Sequence, residues 1–382
     1  MARNRVIYQS EALFVADGTL VPTAAYPSGN IRQLHRVQSA NYGFTVNRQD
    51  VNQFGQLARI DQISIEAPTV NLDFSYYLTT GNNETALGFS VGTTTGTAPF
   101  ISGLIDASVG ANNIGIVSGR NFHILTVPEG SDANGLTTYS GLSSRTIGIG
   151  NAYITNYTLE AAVGGLPTVS VTAEALNVNI TTGTSGAIVP GINVENGTAS
   201  ANTFVLPPPV TGAVGASALR PGDISLYLTD GVVADLPTGV ALADNTSAHI
   251  QNLSIEVPIG RTTLERLGSR FGFTKVIDFP VEITCNLSAI VADLKASGSI
   301  ATLLDADTTK TLAFAFKLPG ASTDRIIYEL RGAKLVSENF SSTIGDNKTV
   351  DLTFTTQVGG PTDNTNGLFV WVQSGAYTPA IV

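Results

Sequence analysis

From residue 70 to residue 76 apolar and polar side chains alternate without a break. Val70, Leu72, Phe74 and Tyr76 fall on one face of an extended chain, and Asn71, Asp73 and Ser75 on the other. A shorter block, Ile63 and Ile65 against Ser64 and Glu66, precedes it, and Pro68 marks a bend or bulge where the phase shifts by one. The same period returns late in the chain, with Val281, Ile283, Cys285 and Leu287 on one face and Glu282, Thr284, Asn286 and Ser288 on the other. Val169, Val171 and Ala173 form a further in-phase set, matched by Val350, Leu352 and Phe354. These runs predict half-buried strands. Ile124 to Pro128 and Ala315 to Pro319 each read as a strand entering a proline turn, and strands are also predicted from Asp223 to Leu228 and from Ala248 to Val257.

The order of these elements repeats. Stretches near 63–76, 122–130 and 152–173 come back near 276–288, 312–320 and 333–354. The last match is ungapped, at a constant offset of 333 − 152 = 181, with Ala152/Ala333, Gly164/Gly345, Thr168/Thr349, Val169/Val350 and Thr172/Thr353 identical. Phe54-Gly55 and Leu267-Gly268 precede the two alternating strands. Val70 lies 70 − 55 = 15 residues beyond its glycine and Val281 lies 281 − 268 = 13 beyond its own, an even difference that keeps the same face inward. Val169 lies 169 − 70 = 99 residues after Val70, and Val350 lies 350 − 281 = 69 after Val281, which gives the first copy 99 − 69 = 30 extra residues. A period far longer than the roughly 20–50 residues of solenoid repeats indicates two whole domains. The division expected is a first β-domain over 1–182 with a long loop or added hairpin at about 91–119, a Gly/Ala/Pro-rich linker over 183–221, and a second β-domain over 222–382. Within the linker, Ile192 to Val205 has the composition of an edge strand.

Helices are expected only as short flanking pieces. Thr262 and Glu265 have capping-box spacing, so Arg261 to Gly268 reads as a short helix closed by glycine, with a weaker counterpart from Asp50 to Gly55. Ala289 to Leu304 also shows helical spacing, interrupted at Ser297-Gly298.

Composition narrows the function. Gly 39 and Pro 17 suit short strands and turns, and charged residues are only 13% of 382, so a lone chain would expose a charge-poor surface that copies of itself could cover. With 20 basic against 30 acidic residues, a net charge of −10 excludes binding nucleic acid by phosphate neutralisation. One cysteine excludes an intramolecular disulfide, and with the histidines scattered no metal or redox cofactor is indicated. Cys285 shares the phase of its apolar neighbours and reads as a small buried hydrophobe. No signal-peptide pattern opens the chain and no stretch of about 20 apolar residues appears, so the expectation is no membrane and a cytosolic setting until assembly. His35, His123 and His249 have no partner at catalytic spacing, and no HExxH, GxSxG, Walker or GxGxxG context occurs, which points away from an enzyme. Gly92 to Gly96 is loop. Asp73, Glu160, Glu174, Glu282 and Asp351, with Glu66 and Asp278, read as solvated strand faces, or as an acidic wall if the protein forms a ring.

The doubled order of short flanking helix followed by alternating strands, Asp50 to Gly55 then Leu78 and Thr262 to Gly268 then Val291, resembles phage and phage-like tail tube proteins. The doubled module is similar to the tail tube proteins of T5-type siphophages. The resemblance covers about 30–180 and 222–375. It implies a mainly β fold with two similar barrel or sandwich domains, each with a short flanking helix, and a homotrimer forming a pseudo-sixfold ring. Stacked rings would form a channel through which DNA passes without specific binding, in a virion tail assembled in the host cytoplasm, with tape measure, baseplate and tail terminator proteins as partners. Asn71, Asp73, Glu282 and Thr284 are then the leading lumen-facing candidates. A trimeric baseplate hub or tail-joining protein is the alternative within that setting. A carbohydrate-binding or adhesin β-protein stands behind it, disfavoured because Tyr76-Tyr77 and Trp371 are scattered.

Overall fold

The computed structural model describes residues 11–17, 31–93, 96–104, 119–127, 132–133, 145–182, 187–194, 197–199, 202–204, 206–207, 224–228, 249–269, 271–272, 274–290, 309–318, 325–342, 347–360 and 362–373. The fold is mainly β. In the first half, Val37–Thr45 pairs with Thr69–Tyr77, which pairs with Thr168–Ala175, which pairs with the distal part of the long strand Arg145–Ala162. The proximal part of that long strand continues into a second sheet beside Arg120–Thr126 and Asn177–Thr182, with Glu11–Asp17 outside the former. The second half repeats this pairing strand for strand. His249–Pro258, Val281–Ile290, Thr349–Val358 and the distal part of Arg325–Ser341 follow one another, and Lys310–Lys317, Ile224–Leu228 and Gly367–Gln373 gather on its proximal part.

The registers fix the correspondence residue by residue. Tyr76 faces Val169 where Ala289 faces Val350, and Asp73 faces Thr172 where Asn286 faces Thr353. Residues 37–77 therefore match 250–290 at an offset of 289 − 76 = 213, and 152–175 match 333–356 at 181. The ladders skip Gln38 and its match Gln251, and skip Thr155 and its match Val336, so the bulges coincide as well. Asn151 and Gly332, at the 181 offset, both have positive φ, 54° and 64°. These pairings correct the sequence alignment: Val70 corresponds to Ile283, not Val281, because no two-residue gap follows Gly55 and Gly268. The first copy has 213 − 181 = 32 extra residues, 213 − 190 = 23 of them between Tyr77 and Arg120 and 190 − 181 = 9 between Thr126 and Arg145. Ile124 faces Ile147 where Phe314 faces Tyr328, so Ile124 corresponds to Phe314, not Ala315.

The halves are joined edge to edge. Asn252 to Pro258 pair with Ala162 to Asn156, giving one central sheet in the order 37–45, 69–77, 168–175, 145–162, 249–258, 281–290, 349–358, 325–341. This sheet is open, and no closed barrel forms among the described residues, so the expected barrel form is replaced by sheets shared between halves. Its apolar face carries the phase read from the sequence: Val70, Leu72, Phe74, Ile283, Cys285, Leu352 and Phe354 are all buried in one core.

Three local expectations fail for identifiable reasons. The flanking helices are hairpins: Arg48–Val51 pairs with Asp61–Ser64, and Arg261–Leu264 with Thr274–Ile277. The β-branched pair Thr262 and Thr263 meets Val276 and Lys275 across the ladder, and that pairing overrides the capping-box spacing. Gly55 and Gly268, with φ of 89° and 88°, turn the hairpin loops instead of ending helices. The described part of the expected linker is packed: Ala187–Ile188 pairs with Thr203–Phe204, and Val189, Ile192, Val194 and Leu206 are buried. Of the expected helix at 289–304, Ala289 and Ile290 are strand and the remainder lies outside the described residues, as do Pro128 and Pro319.

The longer connection between Tyr77 and Arg120 is more than loop. A short helix, Asn82–Leu87, and a 3-10 turn, Phe100–Leu104, bury Leu87, Phe100, Ile101 and Leu104. Val91–Gly92 runs parallel to Val370 and Trp371 of the second half, and Arg331 Nη2 donates to the Gly96 carbonyl at 3.0 Å.

Candidate interaction surface: the polar face and its edges

Strand periodicity leaves the second face of the central sheet polar. In the strand Thr69–Tyr77, Asn71 and Asp73 are exposed between buried neighbours, and in Val281–Ile290 Glu282 is exposed and Thr284 half-buried. All four sequence candidates therefore share one face, but three strands separate the two pairs, so they line a surface and form no cluster. Cross-strand partners continue that face as Ser75–Ser170–Thr158–Glu256–Thr284 and Glu160–Ser254–Asn286–Thr353. Short side-chain bonds tie it together: Ser39 and Ser75 hydroxyls lie 2.7 Å apart, Thr353 Oγ1 donates to Asn286 Oδ1 at 2.9 Å, and Gln357 Nε2 donates to Glu282 Oε2 at 3.3 Å. The face bears Asp73, Glu160, Glu174, Glu256, Glu282 and Asp351, and the six strands other than the two long ones contain no lysine or arginine at all. Carboxylates dominate this face, although Glu174 is ion-paired with Lys275 and Lys334 of the long strand stands on the same face opposite Thr355. Glu256 had escaped the sequence reading, although the alternation of Leu253, Ile255 and Val257 marks it.

The joint between halves is held by more than its ladder. Beyond its ladder, Ile259 N donates to Thr155 O at 2.7 Å and Val163 N to Gln251 O at 2.9 Å. The Arg261–Thr274 hairpin folds over it: Arg261 Nε donates to Ile154 O at 3.0 Å with its guanidinium 5.3 Å over the Tyr153 ring, and Lys275 Nζ pairs with Glu174 Oε2 at 2.5 Å. On the apolar side Tyr157 and Tyr328 hydroxyls meet at 3.0 Å, one from each half, and Tyr76 donates to Glu84 Oε1 at 2.9 Å. Burial pushes the Glu84 carboxyl pKa up, and the hydrogen bonds from the Tyr76 and Tyr157 hydroxyls oppose that shift.

Among the described residues two edges of the sheet have no partner strand, and they are the matches of the two strands that form the joint. Val37–Thr45 corresponds to His249–Pro258, and the distal part of Arg325–Ser341 corresponds to that of Arg145–Ala162. On the first edge Phe44 is 69% and Tyr42 41% exposed. At the loops of the two hairpins Phe54, Leu57 and Leu267 are fully exposed.

The candidate chemistry groups fall elsewhere. His123 is fully buried edge-on to Phe204, and burial lowers its pKa to about 3. The His35 backbone is bonded to the Asn83 amide. The His249 side chain lies outside the described residues. Burial raises the Cys285 thiol pKa well above its ordinary range. Among the described residues no group of three or more His, Cys, Asp or Glu is placed to hold a metal, and no helix is long and apolar enough to cross a membrane.

No protein-family model matches the chain, and no curated protein does. Among solved structures, the crystal structure of a type VI secretion system effector from Yersinia pestis aligns with 40% of this chain and 99% of its own, at 7% identity and a TM-score of 0.18, an overlap that carries no argument.

Proposed function

We propose that the chain is a structural tail tube subunit of the phage type, three copies closing head to tail into a ring and rings stacking into a channel for genome delivery. The observation that carries this reading is the internal joint. It shows how the edge of one copy of the repeat seats on the long strand of another, and it leaves one unused edge of each kind at opposite ends of the sheet. A heterologous contact of this sort closes into a ring when its rotation permits. Three chains give six quasi-equivalent repeats and 8 × 3 = 24 strands around the pore, with no free edge. Transferring the internal register by the 181 and 213 offsets places Ser341 of one chain opposite Asn41 of the next, as Glu160 lies opposite Ser254. The polar face turned inward would present 6 × 3 = 18 carboxylates per ring from those six positions. DNA carries about one negative charge per 1.7 Å of axis, so such a wall lets it slide without adhesion. The exposed apolar hairpin loops are then available to the next ring.

The test is a double variant, Asn41→Cys with Ser341→Cys, oxidised after assembly; the buried native thiol does not compete. A covalent ladder ending at three chains, with hollow tubes in negative stain, is the expected result. Six full chains per layer, or no cross-link at the matched pair while an offset pair links, rejects the ring geometry. Isolated rings without tubes would instead assign the chain to a hub or joining protein, and monodisperse monomers would favour an adhesin.

A further inference from the structure

The two hairpins are matched at the 213 offset but are held in different ways. In the second half Arg261, Leu264, Lys275 and Ile277 are half-buried and Thr274 is buried. Ser269 Oγ donates to the Val194 carbonyl at 2.6 Å, and Phe271 packs on Leu176, Ile192 and Val194. In the first half Arg48–Val51 is exposed throughout, and of Asp61–Ser64 only Gln62 is half-buried. This hairpin is braced by its own side chains instead. Arg59 pairs with Asp50 at 3.0 Å and Asn47 Nδ2 donates to Glu66 Oε2 at 2.9 Å, where the second half has Gly272, Thr263, Gly260 and Phe279. It keeps its form while Val51, Ile60 and Ile63 stay in solvent.

Resting on the ring reading above, we infer that the hairpin Arg48–Ser64 is an arm that seats on a second copy of this chain, across the open edge of the strand Arg325–Ser341, with Arg48 as its anchor. The internal joint is the template. There Arg261 Nε donates to the Ile154 carbonyl and Ile259 N to the Thr155 carbonyl. The offsets carry these bonds to Arg48 with the Leu335 carbonyl, and to Val46 N with the Val336 carbonyl, of the next chain. Arg48 keeps the arginine of its match, stands exposed, and has no hydrogen bond or ion pair among the described residues. Val46 and Val336 are 38% and 63% exposed, whereas Ile259 is fully buried, so seating the arm removes apolar surface that the separate chain leaves in water. Tyr42 and Phe44 continue the same row, as the matches of buried Ile255 and Val257. Two internal contacts are not repeated: Lys334, engaged within its own chain, stands in place of Tyr153, and Gln62 with Thr355 in place of the ion pair of Lys275 with Glu174. What the arm retains is the charge-assisted bond to a backbone carbonyl and the apolar contact beside it.

The experiment joins the arm to its seat in the full-length chain carrying Gln62→Cys with Thr355→Cys, the matches of Lys275 and Glu174, bridged by a short bismaleimide after assembly. Linked species ending at three chains are expected. In light scattering across a concentration series, Arg48→Ala should raise the concentration at which rings form by roughly tenfold, and Arg48→Lys, which keeps a donor, by less. A bridge confined to single chains, or association of Arg48→Ala equal to that of the wild type, overturns the inference. The Asn41→Cys/Ser341→Cys cross-link separates the two levels. If it forms while Gln62→Cys/Thr355→Cys stays unbridged, only the arm is rejected; if neither pair links, the ring register falls with it.

Discussion

Tyr157 and Glu338 occupy the same place in the two halves and meet opposite fates: the tyrosine is sealed in the core by the strand of the second half, and the glutamate stands on an open edge. The 32 extra residues of the first half belong to the same contrast. Of these, 213 − 190 = 23 make the connection between Tyr77 and Arg120 longer than its counterpart, and that connection carries Phe89 and Phe100, stacked 4.2 Å apart and edge-on to Tyr157, and the short strand that pairs with Val370 and Trp371. The first half is thus specialised to hold the second, and the second keeps the plainer repeat.

The largest expected break in this comparison is truncation at the matched pair. Tyr157→Ala should lower unfolding stability by about 3–5 kcal/mol, the range for emptying a fully buried aromatic site. Glu338→Ala, at a half-buried position, should cost less. Urea midpoints of the two variants measure the difference, and equal losses would show that the two positions are not differently employed.

Acid should act on the first half before the second. His123 is buried with a pKa lowered to about 3, while its counterpart Ala313 cannot titrate. The folded state binds this proton less readily than the unfolded state. Its contribution is therefore complete above about pH 6.5 and falls as pH drops toward 3, by a few kcal/mol at most. Hydrogen exchange at pH 4 to 5 should rise in 120–126 before 310–317, and His123→Leu should flatten that dependence.

A smaller effect is expected at the matched positive-φ pair. Gly332→Ala should cost roughly 1–3 kcal/mol, because a Cβ there is strained and would sit 2.0 Å from Asn366 Oδ1. Asn151 tolerates the same conformation with its side chain bonded to both backbone groups of Ile192, so Asn151→Ala should cost more than backbone strain alone. Thermal midpoints of the two alanine variants test whether the shared kink is held by different means.

The least disturbance to folding is expected on the polar face. Asp73→Lys, and Asn286→Lys at the matched position, should each change stability by less than about 0.5 kcal/mol. If that face lines the channel, both should leave tubes intact and slow genome ejection, most of all together with Glu282→Lys. Unchanged ejection rates in all of them would remove the lumen assignment.

Much of this is legible in the sequence. Strict period-2 alternation placed Asn71, Asp73, Glu282 and Thr284 on the polar side, since each strand has only two faces and the other is apolar. The ungapped 181 match fixed the second pair of strands because bulges at Thr155 and Val336 preserve length. What failed was decided by distant partners. Thr262 and Glu265 satisfy a local helix signal, but Lys275 and Val276 offer a ladder that local spacing does not reveal. The Val70–Val281 alignment followed side-chain likeness, whereas the ladder placed isoleucine 283 there and kept the count from Gly55. The buried Ile192 and Val194 looked like linker because their partners, Leu176 and Phe271, are remote in sequence. The contrast of Tyr153 and Tyr157 with Lys334 and Glu338 stood in the ungapped match, and it gained meaning only when one strand proved covered and the other open.

The internal joint also has a kinetic consequence. Its two strands are tethered, so their meeting is a first-order event that dilution does not slow, at an effective concentration of about millimolar order. Any contact made by Val37–Thr45 with a second chain is second-order and vanishes on dilution. Amide exchange should therefore be the same at every protein concentration for Asn252 to Pro258 and, if Val37–Thr45 pairs with a second chain as proposed, should fall with rising concentration along that strand. One molecule thereby reports on both seams at once, each serving as the internal clock for the other.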